Sequence, residues 1–115
     1  MKVIRNDELL GANNSLEFEG ADHGGADVSV FIVDAAPGSG PSLHRHDYAE
    51  VFIVLEGSAT FRAGDIEREV SAGHVVVVPA GEPHGFTASG DGSKQINIHA
   101  SARFVTEWLE EEADG

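Results

Sequence analysis

Two histidines one residue apart, His44 and His46, a glutamate four positions on, Glu50, and a distant histidine, His84, are the residues whose types and spacing suit metal chemistry. On a β-strand, residues i and i+2 project from the same face about 7 Å apart, so His44 and His46 present two imidazoles to one point. Glu50 heads the apolar run VFIVLE, where a carboxylate is out of place unless it meets a partner. His84 follows the turn PAGEP and is free to arrive from another strand. Three imidazoles and one carboxylate suit one divalent transition metal (Fe, Mn, Ni, Co, Cu or Zn) and suit Ca or Mg poorly. The chain has no cysteine, which excludes a disulfide framework, thiolate metal sites and a cysteine nucleophile. Any metal must therefore sit on nitrogen and oxygen.

The elements that would position these residues read as strands. Glu17 and Glu19 alternate with Leu16 and Phe18, and the stretches 27–36 (DVSVFIVDAA), 49–56 (AEVFIVLE) and 75–78 are rich in β-branched residues. Turn clusters separate them at short intervals, at Gly24-Gly25, 37–41 (PGSGP), 63–65 (AGD), 80–83 (AGEP) and 90–93 (GDGS). Many short strands at this spacing predict an all-β sandwich or barrel. The exception is 104–112 (FVTEWLEEE), where Phe104 and Trp108, with Val105 and Leu109, fall on one face of a predicted short C-terminal helix packed on the barrel. In 94–99 (KQINIH), Gln95, Asn97 and His99 share one face and Ile96 and Ile98 the other. The polar set either lines the pocket or faces solvent or a partner subunit, and the second is the expectation. His23 and His74, beside turn glycines, are expected at the surface.

At 115 residues the chain has the length of one domain, expected to span residues 1–115 and to bury somewhat under about 70% of its extended-chain surface. No apolar run approaches the roughly 18 to 20 residues of a membrane span, and the N-terminal MKVIRNDELLG has neither the apolar region nor the cleavage site of a secretory signal, so a cytoplasmic protein is expected. Twenty Asp+Glu oppose seven Lys+Arg, a net charge of -13, and the basic residues are scattered rather than striped. Nucleic acid is therefore an unsuitable partner, and a small molecule is the expected one.

The sequence resembles the cupins. Their first motif, G-x5-H-x-H-x3,4-E-x6-G, is matched by Gly38, His44, His46, Glu50 and Gly57 (38–57). Their second, G-x5-P-x-G-x2-H-x3-N, is matched by Gly73, Pro79, Gly81 and His84 (73–88), with Ala88 where the motif has Asn. The resemblance implies a jelly-roll β-barrel whose metal is held by His44, His46, Glu50 and His84. Family members with this ligand set include quercetin and acireductone dioxygenases and oxalate-degrading enzymes, while other cupins are isomerases, epimerases, lyases or binding modules.

A tetrahedral array of four protein ligands closes a metal site, whereas an octahedral one leaves two adjacent positions, and the all-N/O set favours the open arrangement. Phe52 and Val54 follow Glu50 at alternate positions, Phe86 follows His84 likewise, and Phe31 joins them, predicting an apolar substrate pocket. Arg45 points away from the histidine pair, which disfavours a phosphorylated substrate. The expectation is a metal-dependent dioxygenase acting on an enol, diketone or phenolic molecule, with Glu50 as catalytic base as well as ligand. The alternatives are a redox-neutral isomerase, lyase or decarboxylase and a non-catalytic binding protein. Edge strands and the apolar segments around Val3-Ile4, Phe104 and Trp108 predict a homodimer.

Overall fold

The computed structural model describes residues 1–12 and 15–110. Eight strands carry the architecture: β1 (Leu16–Glu19), β2 (Ser29–Ala35), β3 (His44–Arg45), β4 (Glu50–Ala63), β5 (Ile66–Ser71), β6 (Val75–Val78), β7 (His84–His99) and β8 (Glu107–Trp108). Each stretch read as a strand from its β-branched content contains one or, for 49–56, the start of one.

Strands β4 and β7 decide the shape. They run 14 and 16 residues, well beyond the about 5–6 of an ordinary strand, and pair with each other along most of that length. Their register slips between Val54 and Glu56 and again between Gly57 and Ala59. Gly57 lies in this irregular stretch with φ +70°, and a Cβ there would meet the Gly92 carbonyl oxygen at 2.1 Å, so only glycine fits. The slip divides each long strand between two walls. The first half of β4 lies between β6 and the second half of β7, which continues to β2 and β1. The second half of β4 lies between β5 and the first half of β7, which continues to β3 and β8. The result is a jelly-roll of two walls sharing two bent strands.

The apolar core sits between the walls: Phe52, Val54, Phe61, Val78 and Phe86, with Ala35, Ala59 and Ala88. Phe61 meets Phe52 at 5.1 Å and Phe86 at 5.4 Å between ring centroids, and each such buried ring contributes about 1.5–3 kcal/mol. Ala88, where the second motif ordinarily has Asn, is part of this core. Its backbone N–H donates to Ser39 O at 2.7 Å and its carbonyl accepts from Gly38 N–H at 2.8 Å.

The expected C-terminal helix is absent from 104–110; positions 111 and 112 lie outside the described residues. The segment is extended, with Trp108 opposite His44 and Glu107 opposite Arg45. Phe104 stacks on Phe31 at 4.0 Å, and Arg45 grips Glu107 through both guanidinium contacts, at 2.9 and 3.0 Å. A separation of four places Phe104 and Trp108 on one side of a helix and equally on one side of a strand. That periodicity does not discriminate, and the pairing with β3 does. Among the described residues no helix is long and apolar enough to cross a membrane.

Candidate metal centre

The jelly-roll brings the four expected ligands to one end of its interior. His44 and His84 are directly opposed across β3 and β7, Glu50 opens β4 on the facing wall, and His46 follows β3. All four are buried, at 3–6% exposure, and one ligand atom from each lies within 4.8 Å of the others. Arg45, between the two histidines, projects to the rim, as strand alternation requires. Gly81 (φ +82°), in the turn before His84, donates its backbone N–H to His46 O at 2.7 Å, tying the two motifs together.

The histidine rings are oriented by carbonyl oxygens. His44 Nδ1 donates to Ser42 O at 2.7 Å, His46 Nδ1 to Val105 O at 2.8 Å and His84 Nδ1 to Glu82 O at 2.8 Å. A carbonyl only accepts, so in each neutral ring the proton sits on Nδ1 and the Nε2 lone pair faces inward. Nε2 of His46 and of His84 lie 3.0 and 3.1 Å from Glu50 Oε1, and His46 Nε2 has no hydrogen-bond partner among the described residues. Three converging imidazole nitrogens and a carboxylate oxygen, with no thiolate, fit one divalent transition metal.

The electrostatics follow from burial and crowding. Burial drives His44 down to about 4, against the Ser42 carbonyl that favours its N–H. Burial also disfavours a charged His46, yet Glu50 and the Val105 carbonyl outweigh it and leave its pKa raised. For Glu50, burial alone would raise the carboxyl. His46, His84 and His99 more than offset that and hold it below the usual carboxylate range.

One expectation at this site is overturned. Gln95, Asn97 and His99 do not face solvent or a partner; they point inward, at 0%, 5% and 3% exposure. Ile96 and Ile98 lie on the outer face with Val30 and Ile32 of β2 and Val51 and Ile53 of β4. Strand alternation separates two faces without saying which is interior. The register decides, because His99 stands opposite both Ser29 and Glu50. His99 Nε2 is 3.1 Å from Glu50 Oε2, and its Nδ1 is 2.7 Å from the hydroxyl of Tyr48. His99 and Tyr48 are the site residues that the sequence reading missed. His23 and His74 are away from the centre, the first stacked on Phe18 and the second exposed.

Of the residues expected to line an apolar pocket, Phe52, Val54 and Phe86 lie in the closed core at 2–4% exposure, with Phe52 edge-on to His84 at 5.9 Å. Phe31 is half-buried between Phe104 and His99. A cleft of about 290 Å³ opens beside His46, lined by Arg45, Asp47, Gly81, Val105 and Glu107.

Comparison with known proteins agrees with this architecture. The chain is 31% identical over 85 residues to auxin-binding protein 1 of Arabidopsis thaliana, covering 66% of this chain and 43% of that protein. It is 31% identical over 78 residues to the dimethylsulfoniopropionate lyase DddW of Ruegeria pomeroyi, covering 68% and 51%. It thus spans about half the length of these curated relatives or less. Oxalate decarboxylase from Bacillus subtilis superposes with a TM-score of 0.76 at 22% identity, over 83% of this chain and 27% of that one, a likeness of fold. The Cupin domain profile matches residues 31–97, more than half of the sequence, and the chain belongs to the cupin family.

Proposed function

We propose that this chain is a metal-dependent enzyme acting on a small oxygen-bearing molecule, with His44, His46, Glu50 and His84 holding the ion. The observation that carries the reading is the set of three Nδ1–H groups pinned by carbonyls, which leaves three Nε2 lone pairs for an ion, those of His46 and His84 within 3.1 Å of Glu50 Oε1. A divalent ion bound there supplies Lewis acidity toward a carbonyl or enol oxygen and, where redox-active, reactivity with O₂.

The chain's own residues supply the rest. The cleft beside His46 admits a substrate of modest size, with Val105 and the stems of Arg45 and Glu107 in its lining. Phe52, Val54 and Phe86 back the site and keep bulk water from its inner side. Glu50 is held ionised by the surrounding histidines, the form in which it would serve as ligand and in which any proton acceptor must stand. Arg45 is committed to Glu107, so among the described residues lining the cleft there is no free cation to recruit a phosphorylated substrate.

Dioxygenation of an enol, diketone or phenol is the first reaction class, open to a redox-active ion on this imidazole–carboxylate donor set. A redox-neutral lyase or decarboxylase is the second, favoured because one curated relative is a lyase and the solved structure with the same fold a decarboxylase. The two separate by air. With the Fe(II) or Ni(II) protein, anaerobic addition of a catechol or 1,3-diketone should change the visible or X-ray absorption spectrum, and only the dioxygenase then needs air to form product. A redox-neutral enzyme forms product from its substrate without air. If neither chelators nor O₂ perturb the metal, both readings fail.

A further inference from the structure

The four inward histidines are not equivalent. His44, His46 and His84 each set Nδ1 against a carbonyl oxygen, whereas His99 sets Nδ1 against the Tyr48 hydroxyl at 2.7 Å. That hydroxyl already accepts the backbone N–H of Val105 at 3.2 Å. The carbonyl of the same residue accepts His46 Nδ1–H. Beyond His99, Nε2 stands 3.1 Å from Glu50 Oε2, the carboxylate oxygen turned away from His46 and His84.

We infer that Tyr48 and His99 are positioning residues that steady Glu50 at its second oxygen, leaving Oε1 beside the ligand histidines His46 and His84. The proton assignment follows from what each neighbour can do. A neutral imidazole has one N–H, and the Tyr48 hydroxyl, which already accepts from Val105, has its own proton to give, whereas the carbonyls beside the other three rings have none. The proton therefore sits on Nε2, and the bare Nδ1 accepts the Tyr48 O–H, which otherwise lacks an acceptor at its 2.7 Å neighbour. The chain runs from Val105 N–H, which donates to the Tyr48 hydroxyl, to that hydroxyl, which donates to His99 Nδ1, and His99 Nε2–H then faces Glu50 Oε2. The 3.1 Å approach to Glu50 is a close contact rather than an aligned hydrogen bond; it leaves the carboxylate a small rotation toward an ion. This chain assigns the histidines opposite tautomers, three that present lone pairs and one that presents an N–H. It also makes Val105 a junction, its carbonyl fixing a ligand and its N–H fixing the support of another. Tyr48 strengthens the link by stacking on His46 at 4.9 Å.

The inference rests on the proposed metal site for its purpose but not for its geometry, so the test has two readouts. Imidazole nitrogen shifts of the metal-free protein at mildly alkaline pH should place the proton on Nε2 in His99 and on Nδ1 in His44 and His84. Tyr48→Phe, which removes the O–H donor, should shift the His99 Nδ1 resonance while leaving those of His44 and His84 in place. In cobalt-loaded protein, Tyr48→Phe and His99→Leu should weaken metal binding by about 10–100-fold, the range for outer-shell partners, and shift the visible bands. His99→Gln, whose amide retains an N–H toward Glu50, should stay close to the wild type on both measures. A wild-type His99 protonated on Nδ1, or identical cobalt spectra and affinities in the Leu, Gln and wild-type proteins, would overturn the inference. Failure of the metal reading looks different: the wild type itself then takes up no cobalt, while the nitrogen shifts still distinguish His99 from the other rings or do not.

Discussion

Strand β7 crosses both walls of the jelly-roll, and its two halves obey opposite rules. In the first half the inward residues after His84 are Phe86 and Ala88, apolar and buried, and Thr87 between them is exposed. In the second half the inward residues are Ser93, Gln95, Asn97 and His99, and it is the outward Ile96 and Ile98 that are apolar. One half is built by burying carbon. The other places polar groups inside and carbon outside, which lowers stability and makes sense only where the interior needs hydrogen-bonding groups and the exterior is itself destined for contact.

The largest expected effect breaks the first half. Phe86, at 4% exposure, packs on Phe61 and Phe52, so Phe86→Ala should cost about 3–5 kcal/mol through lost burial and the cavity left behind. Urea unfolding of the metal-free protein measures it, and a loss under about 1 kcal/mol would mean that this end of the core is not close-packed.

Next comes the histidine at the start of the same half. His84→Ala should leave a folded jelly-roll, because the ring meets the polar centre more than the core. Metal affinity should fall by more than the roughly 10–100-fold of an outer-shell change. Saturating metal should raise the melting temperature of the wild type but not of the variant, since a ligand at about 1,000 times its Kd adds roughly 4 kcal/mol. Affinity should also fall on acidification. His46 has a raised pKa in the metal-free protein, so its proton competes with the ion from a higher pH than an ordinary histidine's would. Full metal occupancy in His84→Ala would remove that residue from the ligand set.

How far these features were legible in the sequence follows the same division. His44, His46, Glu50 and His84 were readable because a carboxylate at the head of an apolar strand and two histidines at strand period are costly unless they converge. His99 was not, because Gln95-Asn97-His99 and Ile96-Ile98 are both coherent faces, and the usual assumption puts the apolar one inside. Only the pairing of His99 with Glu50, a contact between residues 49 positions apart, selects the polar face. The C-terminal segment failed for a related reason, since the spacing of Phe104 and Trp108 fits helix and strand alike. What holds it extended is Arg45 and the backbone of Leu43, which accepts from Leu109 and Glu110, and neither is visible in local sequence.

A smaller effect tests the outer face of the second half. Ile96 and Ile98 continue sideways into Val30 and Ile32 on one flank and Val51 and Ile53 on the other, and beyond those into Val75 and Val77, which are 59% and 65% exposed. The expected homodimer would use this sheet face, with the terminal segments around Phe104 and Trp108 secondary to it. Light scattering at micromolar concentration should give twice the chain mass, and Val77→Glu should return it to the monomer with little change in unfolding of the isolated chain. A wild-type monomer, or a dimer indifferent to Val77→Glu, would assign the apolar face to something else.

The smallest expected change asks whether the polar column is needed along its whole length. Gln95 is fully buried, and its Nε2 donates to Ser93 Oγ at 2.9 Å while its Oε1 has no partner among the described residues. It stands between Val33 and Val54 on the neighbouring strands, away from the row of Ser29, His99 and Glu50. An amide oxygen left without a partner costs about 1–3 kcal/mol, and replacing the group by an apolar one of similar shape recovers part of that. Gln95→Leu should therefore be neutral or stabilising, within about 1.5 kcal/mol of the wild type, and should leave metal affinity unchanged. Measured beside Phe86→Ala, it sets the two halves of β7 on one scale. If Gln95→Leu instead destabilises by more than about 2 kcal/mol, the amide is satisfied in solution and the polar lining is a continuous network reaching from Glu50 to Ser93, rather than a functional end with a tolerated remainder.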